Sequence, residues 1–276
     1  MKDPVAQEYV GRNFTETGVI STQRCAEIFA TFGWTSETNN GAILPQLCHW
    51  CAFSPVVPTD DLGKDGHPDK GTFLPDLGLE RRMWASGKLQ FLRDLHVGES
   101  LTRTATIEKV DIKDGSSGKL AFVTVAHEVS GECGLAIRES QSIVYLAMPK
   151  FFEPPVKRPM PGSNVFERRY AMPTTRLFRF SAITFNAHRI HFDLPYAKEV
   201  EKYPGLVVHG PMQAMILAKS AAEHARKSMS KFSFRGVHPC FHFDDLLVCG
   251  VEDEDSLNLF AGVPRGHQTM QAQANW

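Results

Sequence analysis

Ser181, Asn186, His188, His191 and Asp193 lie close together in this chain, and Val208-His209-Gly210-Pro211 follows shortly after them. An imidazole can take or give a proton near neutral pH, while an amide or a carboxylate can orient the group that reacts. Two other readings stay open at this point. His188, His191 and Asp193 could ligate a metal, or His191 could be an ordinary hydrogen-bonded core histidine. Asp193, just ahead of Leu194-Pro195-Tyr196, also reads as the N-cap of a helix. Pro211 marks a helix start, because proline is tolerated at the first helical position. The Gly210 amide would then sit at the positive end of a helix, open to close approach by a carbonyl oxygen gaining negative charge.

These residues need elements to position them. Gly210 to Ser228 reads as a long helix, apolar almost all round through Met212, Met215, Ile216, Leu217, Ala218 and Ala221, as a helix buried inside a sheet would be. A strand near Phe166 to Met172 precedes the motif, Leu206 to Val208 is strand-like, and strands follow at 241–252, 256–263 and 269–276. The first half repeats the plan. A helix runs from Ser21 to Phe32, capped by Ser21 and burying Cys25, Ile28, Phe29 and Phe32. A loop follows from Pro55 to Gly78, then strand-like runs at 89–91, 100–110, 119–129 and 139–146. Asp114-Gly115-Ser116-Ser117-Gly118 and Gly131-Glu132-Cys133-Gly134 supply the turns. The expected plan is one buried helix wrapped by an antiparallel sheet, present twice. Prolines crowd residues 151–162, an extended linker that separates a first half, 1–150, from a second, 163–276.

With 276 residues, 42% of them hydrophobic and 22% charged, the chain has the content of a globular protein and excludes fibrous or disordered classes. The formal net charge is −1, and no run of lysines or arginines is long enough to follow a phosphate backbone, so nucleic acid is not expected as a partner. Neither a signal-peptide core near the N-terminus nor an apolar run of membrane-span length appears, which predicts a soluble, cytoplasmic protein, with a mitochondrial matrix still open. Six cysteines are too dilute for a disulfide scaffold. Cys48-His49-Trp50-Cys51 has the spacing of half a zinc site or a redox pair, but its apolar neighbours favour a buried segment.

Ser181 to His191, with Val208-His209-Gly210-Pro211, resembles the motif of the MaoC-like (R)-specific enoyl-thioester hydratases and dehydratases. Ser181, Ile183, Thr184, Ile190 and His191 match that motif, and Gly210 falls on the glycine whose amide forms the family's oxyanion hole. His67-Pro68, Gly71 to Pro75, Arg81 to Ala85 and Gly266 to Met270 are similar to a narrower branch, which includes itaconyl-CoA and mesaconyl-CoA hydratases and fungal hydroxyacyl-thioester dehydratases. The resemblance covers nearly all the chain. It implies an α+β double hot-dog fold, two antiparallel sheets each wrapping a central helix. The first half, lacking a histidine-rich motif, would be the degenerate copy that widens the pocket.

The resemblance further implies reversible hydration of an enoyl-CoA thioester, with a short branched dicarboxylic acyl group such as itaconyl or mesaconyl. Coenzyme A enters as part of the substrate, without a separate cofactor or metal, and a homodimer is the expected assembly. The sequence departs from the family at the catalytic aspartate, where it has Asn186; His188 stands for asparagine, Arg189 for proline and Phe185 for glycine. An amide cannot act as a general base at neutral pH, so proton transfer falls to His191, with Asn186 orienting water and His188 in reserve. Arg81, Arg82, Trp84, Arg189 and His209 are the expected substrate-binding residues. Arg81 and Arg82 would meet a CoA phosphate or the free carboxylate, unless they form surface salt bridges. A thioesterase and a non-catalytic acyl-CoA binding protein are the alternatives, since fold alone does not choose between them.

Overall fold

A computed structural model describes residues 4–115 and 118–276. Met1 to Asp3, and Ser116 and Ser117 of the expected turn, lie outside the described residues. After a short helix α1 (Pro4–Gln7), the first half runs β1 (Asn13–Val19), α2 (Thr22–Phe32), β2 (Arg81–Phe91), β3 (Ser100–Gly115), β4 (Gly118–Gly131) and β5 (Gly134–Leu146). The second runs β6 (Phe166–Ala171), α3 (Thr174–Thr184), α4 (Leu194–Glu199), α5 (Gly210–Ala225), β7 (Lys231–Gly236), β8 (Asp245–Asp253), β9 (Ser256–Gly262) and β10 (Gln268–Asn275). All ten strands join in one antiparallel sheet, ordered β1-β3-β4-β5-β2-β7-β10-β9-β8-β6. The order reads the same from either edge once each strand is paired with its counterpart, so one strand plan occurs twice, meeting where β2 pairs with β7.

Two of those strands escape the sequence reading. β1 and β7 are short, and yet β7 makes the seam: Gly87 pairs with Phe234 and Leu89 with Phe232. Its period-2 signal is there, because Phe232 and Phe234 are buried while Lys231 and Arg235 are exposed. Leu206 to Val208, read as strand-like, forms only one isolated bridge, Val207 to Phe241. Between 174 and 184 the chain is helical, burying Leu177, Phe180, Ser181 and Ile183. Residues 147–165 contain no strand or helix, although Pro159 bridges to His267.

The expected repetition of the buried helix needs correction. α5 is enclosed as its composition requires, with Met212 to Ala218 all buried. The first half has only a five-residue 3-10 helix, Cys48–Ala52, at the corresponding place in the chain order. Aromatic rings fill the missing volume: Trp50 lies 5.3 Å from Trp84 and 5.9 Å from Phe234, and Trp84 stacks on Phe234 at 4.3 Å. Cys48 and Cys51 are buried free thiols, and burial pushes the Cys51 thiol up to about 12, which suits packing and opposes a reactive thiolate. Ser21 caps α2 by accepting from the Arg24 amide, as expected.

Candidate active site

Three local features shape the second-half site. Phe185 ends α3 in the left-handed conformation, φ 50°, and turns the chain out of the helix. Asn186 Oδ1 then accepts the His188 amide at 2.9 Å, fixing the turn that presents His188 and His191. Asp193 caps α4 through the Tyr196 amide and also pairs with Arg189 at 2.7 Å, so its oxygens are taken. The metal trio of His188, His191 and Asp193 is therefore not assembled.

The histidines instead form a row. His209 and His191 stack with ring centroids 3.6 Å apart, His191 meets His188 edge to face at 5.4 Å, and His188 meets His67 at 4.0 Å. Each ring is held from behind. His191 Nδ1 lies 2.7 Å from the Val207 carbonyl, which can only accept, so Nδ1 carries the proton and Nε2 the lone pair. His209 Nε2 shares a hydrogen bond of 2.9 Å with Ser181 Oγ. His188 Nε2 lies 3.3 Å from Glu201, and His67 Nδ1 lies 3.0 Å from Asp65. Burial, with neighbouring His209 and His188, holds the His191 imidazole well below its ordinary range; burial and His188 pull His209 down to about 3. Both are neutral at pH 7.

His209 caps α5, placing the first-turn amide of Gly210 beside this row with no acceptor inside the helix. A Cβ at Gly210 would lie 3.0 Å from Trp84 Cε3, so the glycine lets the indole lie against the helix start where any other residue would push it back by a few tenths of an ångström. Trp84 is fixed in turn. Its Nε1 donates to Gln141, Gln141 donates to the buried Glu139, and Trp50 Nε1 donates to the same carboxylate at 3.0 Å.

The arginines differ most from expectation. Arg81 and Arg82 are not surface residues. Arg81 is bound to Glu201 at 2.9 Å and to the Tyr203 hydroxyl; Arg82 donates to the Pro68 carbonyl at 3.0 Å and lies 3.6 Å from Asp65. Arg189 holds Asp193 and the Lys64 carbonyl. All three guanidiniums are thus engaged by the protein, and they tie loops together around the imidazoles.

Sequence reasoning missed Asp65, His67 and Glu201. The first two come from the long loop of the first half, remote in sequence, and His67-Pro68 served only as a mark of resemblance. That loop is locked onto the motif: the Arg189 amide donates to the Asp65 carbonyl at 2.9 Å, and a Cβ at Gly66 would lie 1.9 Å from the Ala187 oxygen. Asp65, His67 and His188 bring ligand atoms within 4.8 Å of one another, as a divalent metal would need. The Asp65 carboxylate, Nδ1 of His67 and Nε2 of His188 are already committed to Arg82, to each other and to Glu201, which leaves Nε2 of His67 open, so the set fits an internal hydrogen-bond network at least as well. Elsewhere, a cavity of about 430 Å³ is lined by Pro155, Val156, Arg158, Arg235, Gly236 and Val237.

Residues 46–242 match the family described as hydroxyacyl-thioester dehydratase type 2. Over 230 residues the chain is 40% identical to the mesaconyl-C(4)-CoA hydratase of Chloroflexus aurantiacus, covering 83% of this chain and 82% of that one. Its fold is similar to a MaoC-like dehydratase from Phytophthora capsici, with a TM-score of 0.70 and 13% identity across 99% of this chain and 97% of the other. A Mycobacterium tuberculosis protein with a double hotdog fold gives a TM-score of 0.57 at 12% identity, over 96% of each chain. An α+β double hot-dog chain, this protein belongs to the hydroxyacyl-thioester dehydratase type 2 family.

Proposed function

We propose that the chain is a hydro-lyase that adds water reversibly across the carbon–carbon double bond of an enoyl-CoA thioester, with a short branched dicarboxylic acyl group of the mesaconyl type. The observation that carries this reading is His191, a neutral imidazole whose Nδ1–H is held by Val207 and whose Nε2 is left as the base, in one site with the free amide of Gly210. Similarity to a protein named mesaconyl-C(4)-CoA hydratase supports the acyl group.

In the hydration direction, His191 Nε2 takes a proton from water as the oxygen bonds to the β-carbon. The π electrons move toward the α-carbon and the thioester oxygen, where the Gly210 amide and the α5 dipole hold the charge. Removing one such donor typically costs about 3 to 4 kcal/mol. The imidazolium, a strong acid in this buried setting, returns its proton to the α-carbon. Asn186 Oδ1 is occupied by the His188 amide, so its free handle is the NH₂ group, a donor to water or carbonyl.

A chromatographic panel of mesaconyl-C4-CoA, itaconyl-CoA and crotonyl-CoA, with a thiol reagent to detect free CoA, tests the proposal. Hydrated thioester without thiol release is the expected result, fastest on a branched dicarboxylic substrate. Thiol release without hydration would overturn it in favour of hydrolysis.

A further inference from the structure

The attacking water has two hydrogens, and the site must accept both while its lone pair faces the β-carbon. His191 Nε2 accepts one. In the motif that this chain resembles, a carboxylate with two accepting oxygens stands where Asn186 is, whereas Asn186 has a single accepting oxygen, one of whose two lone pairs takes the His188 amide, and an NH₂ group that can only donate. A further acceptor would replace the oxygen that the amide lacks.

We propose that Nε2 of His67, contributed by the loop of the first half, is the second acceptor for the reacting water, and that Asp65 fixes the tautomer that makes it one. This rests on the hydratase reading above. Asp65 holds His67 twice, its Oδ2 3.0 Å from Nδ1 and its Oδ1 accepting the His67 amide at 3.0 Å. An ionised carboxylate only accepts, so Nδ1 bears the hydrogen and Nε2 the lone pair. Against the pull of burial, the hydrogen bonds from His67, and then the Arg82 guanidinium 3.6 Å from Oδ2, hold the Asp65 carboxyl well below the usual range and so ionised. The His67 ring is the most exposed of the imidazole row, with 28% of its side chain exposed against 7% for His188, and is thus the one most open to solvent water. Its position is enforced by the contact of Gly66 with Ala187 and by the Arg189 amide on the Asp65 carbonyl.

No net proton is needed at rest. Water donates one hydrogen to each imidazole; one O–H bond breaks toward His191 Nε2 as the carbon–oxygen bond forms, and the other stays with the new hydroxyl, still donating to His67. The groups facing His67 are Asp65, Arg82 and His188, with Glu201 and Arg81 behind His188. Their formal charges cancel.

The experiment compares full-length wild type, His67→Ala, His67→Gln and Asp65→Asn in the hydration of mesaconyl-C4-CoA, each with its melting temperature. His67→Ala should lower kcat about 100-fold with KM within about threefold, and added imidazole should restore part of it. His67→Gln keeps an acceptor oxygen and should lose only about tenfold. Asp65→Asn lets the ring adopt the other tautomer, turning Nε2 into a donor, and should cost about 100-fold in kcat. His67→Ala within threefold of wild type, or a folded His67→Ala that imidazole does not rescue while Asp65→Asn keeps full turnover, overturns the proposal. A wild type that hydrates no enoyl-CoA removes the hydratase reading itself, and this inference with it.

Discussion

The His191 imidazole lies flat on that of His209, with 3.6 Å between ring centroids, and each ring has a fixed hydrogen-bond partner: the Val207 carbonyl for His191 and the Ser181 hydroxyl for His209. Stacking of this kind is incompatible with two charged rings in a buried site. Burial, with His209 beside it, keeps His191 neutral, and so able to accept a proton, and the stack sets the base against the residue that caps α5.

Asn186 acts on the site through its oxygen. Asn186→Ala would release the His188 amide and loosen the turn that presents both histidines, lowering kcat about 10- to 100-fold while substrate still binds. Asn186→Asp keeps the acceptor and should retain more turnover than Asn186→Ala. Steady-state kinetics on both variants checks this, and the reverse order would show that the amide NH₂, rather than the turn, is what matters.

Gly66→Ala is expected to detach the first-half loop. The glycine has φ 85° and its would-be Cβ meets the Ala187 oxygen at 1.9 Å, so the backbone itself must move. Turnover should fall with that of the Asp65 and His67 variants, accompanied by about 1 to 3 kcal/mol of lost stability. Chemical denaturation and kinetics on the same sample measure both.

Arg82→Ala separates structure from substrate recognition. The guanidinium is 8% exposed and engaged with Asp65 and the Pro68 carbonyl, so its removal leaves a buried carboxylate poorly compensated, at about 3 to 5 kcal/mol. The loss of activity should be equal on mesaconyl-C4-CoA and crotonyl-CoA. A loss confined to the dicarboxylic substrate would assign Arg82 to carboxylate recognition after all.

Stability should fall on mild acidification. Burial and His188 lower His67 to about 4, burial and His188 lower His209 to about 3, and burial takes His127 to about 4. The ordinary value in an unfolded chain is about 6.5. Below it the unfolded chain binds protons that the native protein does not, so stability is complete above pH 6.5 and declines toward pH 4, by at most about 1.4 kcal/mol per pH unit for each such histidine. Urea midpoints at pH 7.5 and pH 5 check the sign; a protein as stable at pH 5 as at pH 7.5 would show these rings to be protonated in the native state.

Much of the second half was legible in the sequence because its signals are local. Gly210-Pro211 announces a helix start, the apolar run to Ala221 a buried helix, and Asp193 a cap, and α5 and α4 follow. The helix α3 was hidden because Thr174, Thr175, Ser181 and Thr184 are weak helix formers, and it is burial of Leu177, Phe180, Ser181 and Ile183 that holds them in one. β7 is only six residues long, and what fixes it is its pairing with β2 across the seam, a partner remote in sequence. The same distance hid His67 and Asp65: nothing in their local pattern says that their loop returns to the histidine row. The partners of the arginine pair were out of sight for a related reason, since Glu201 and Asp65, which neutralise Arg81 and Arg82, are visible as partners only once the chain is folded.

The most direct test of the central claim is the rate of mesaconyl-C4-CoA hydration by His191→Ala beside wild type, at pH 7.5 with circular dichroism confirming the fold. Loss of the base positioned with the Gly210 amide predicts a fall in kcat of at least about 100-fold. A folded His191→Ala that hydrates within a few-fold of wild type would contradict the account.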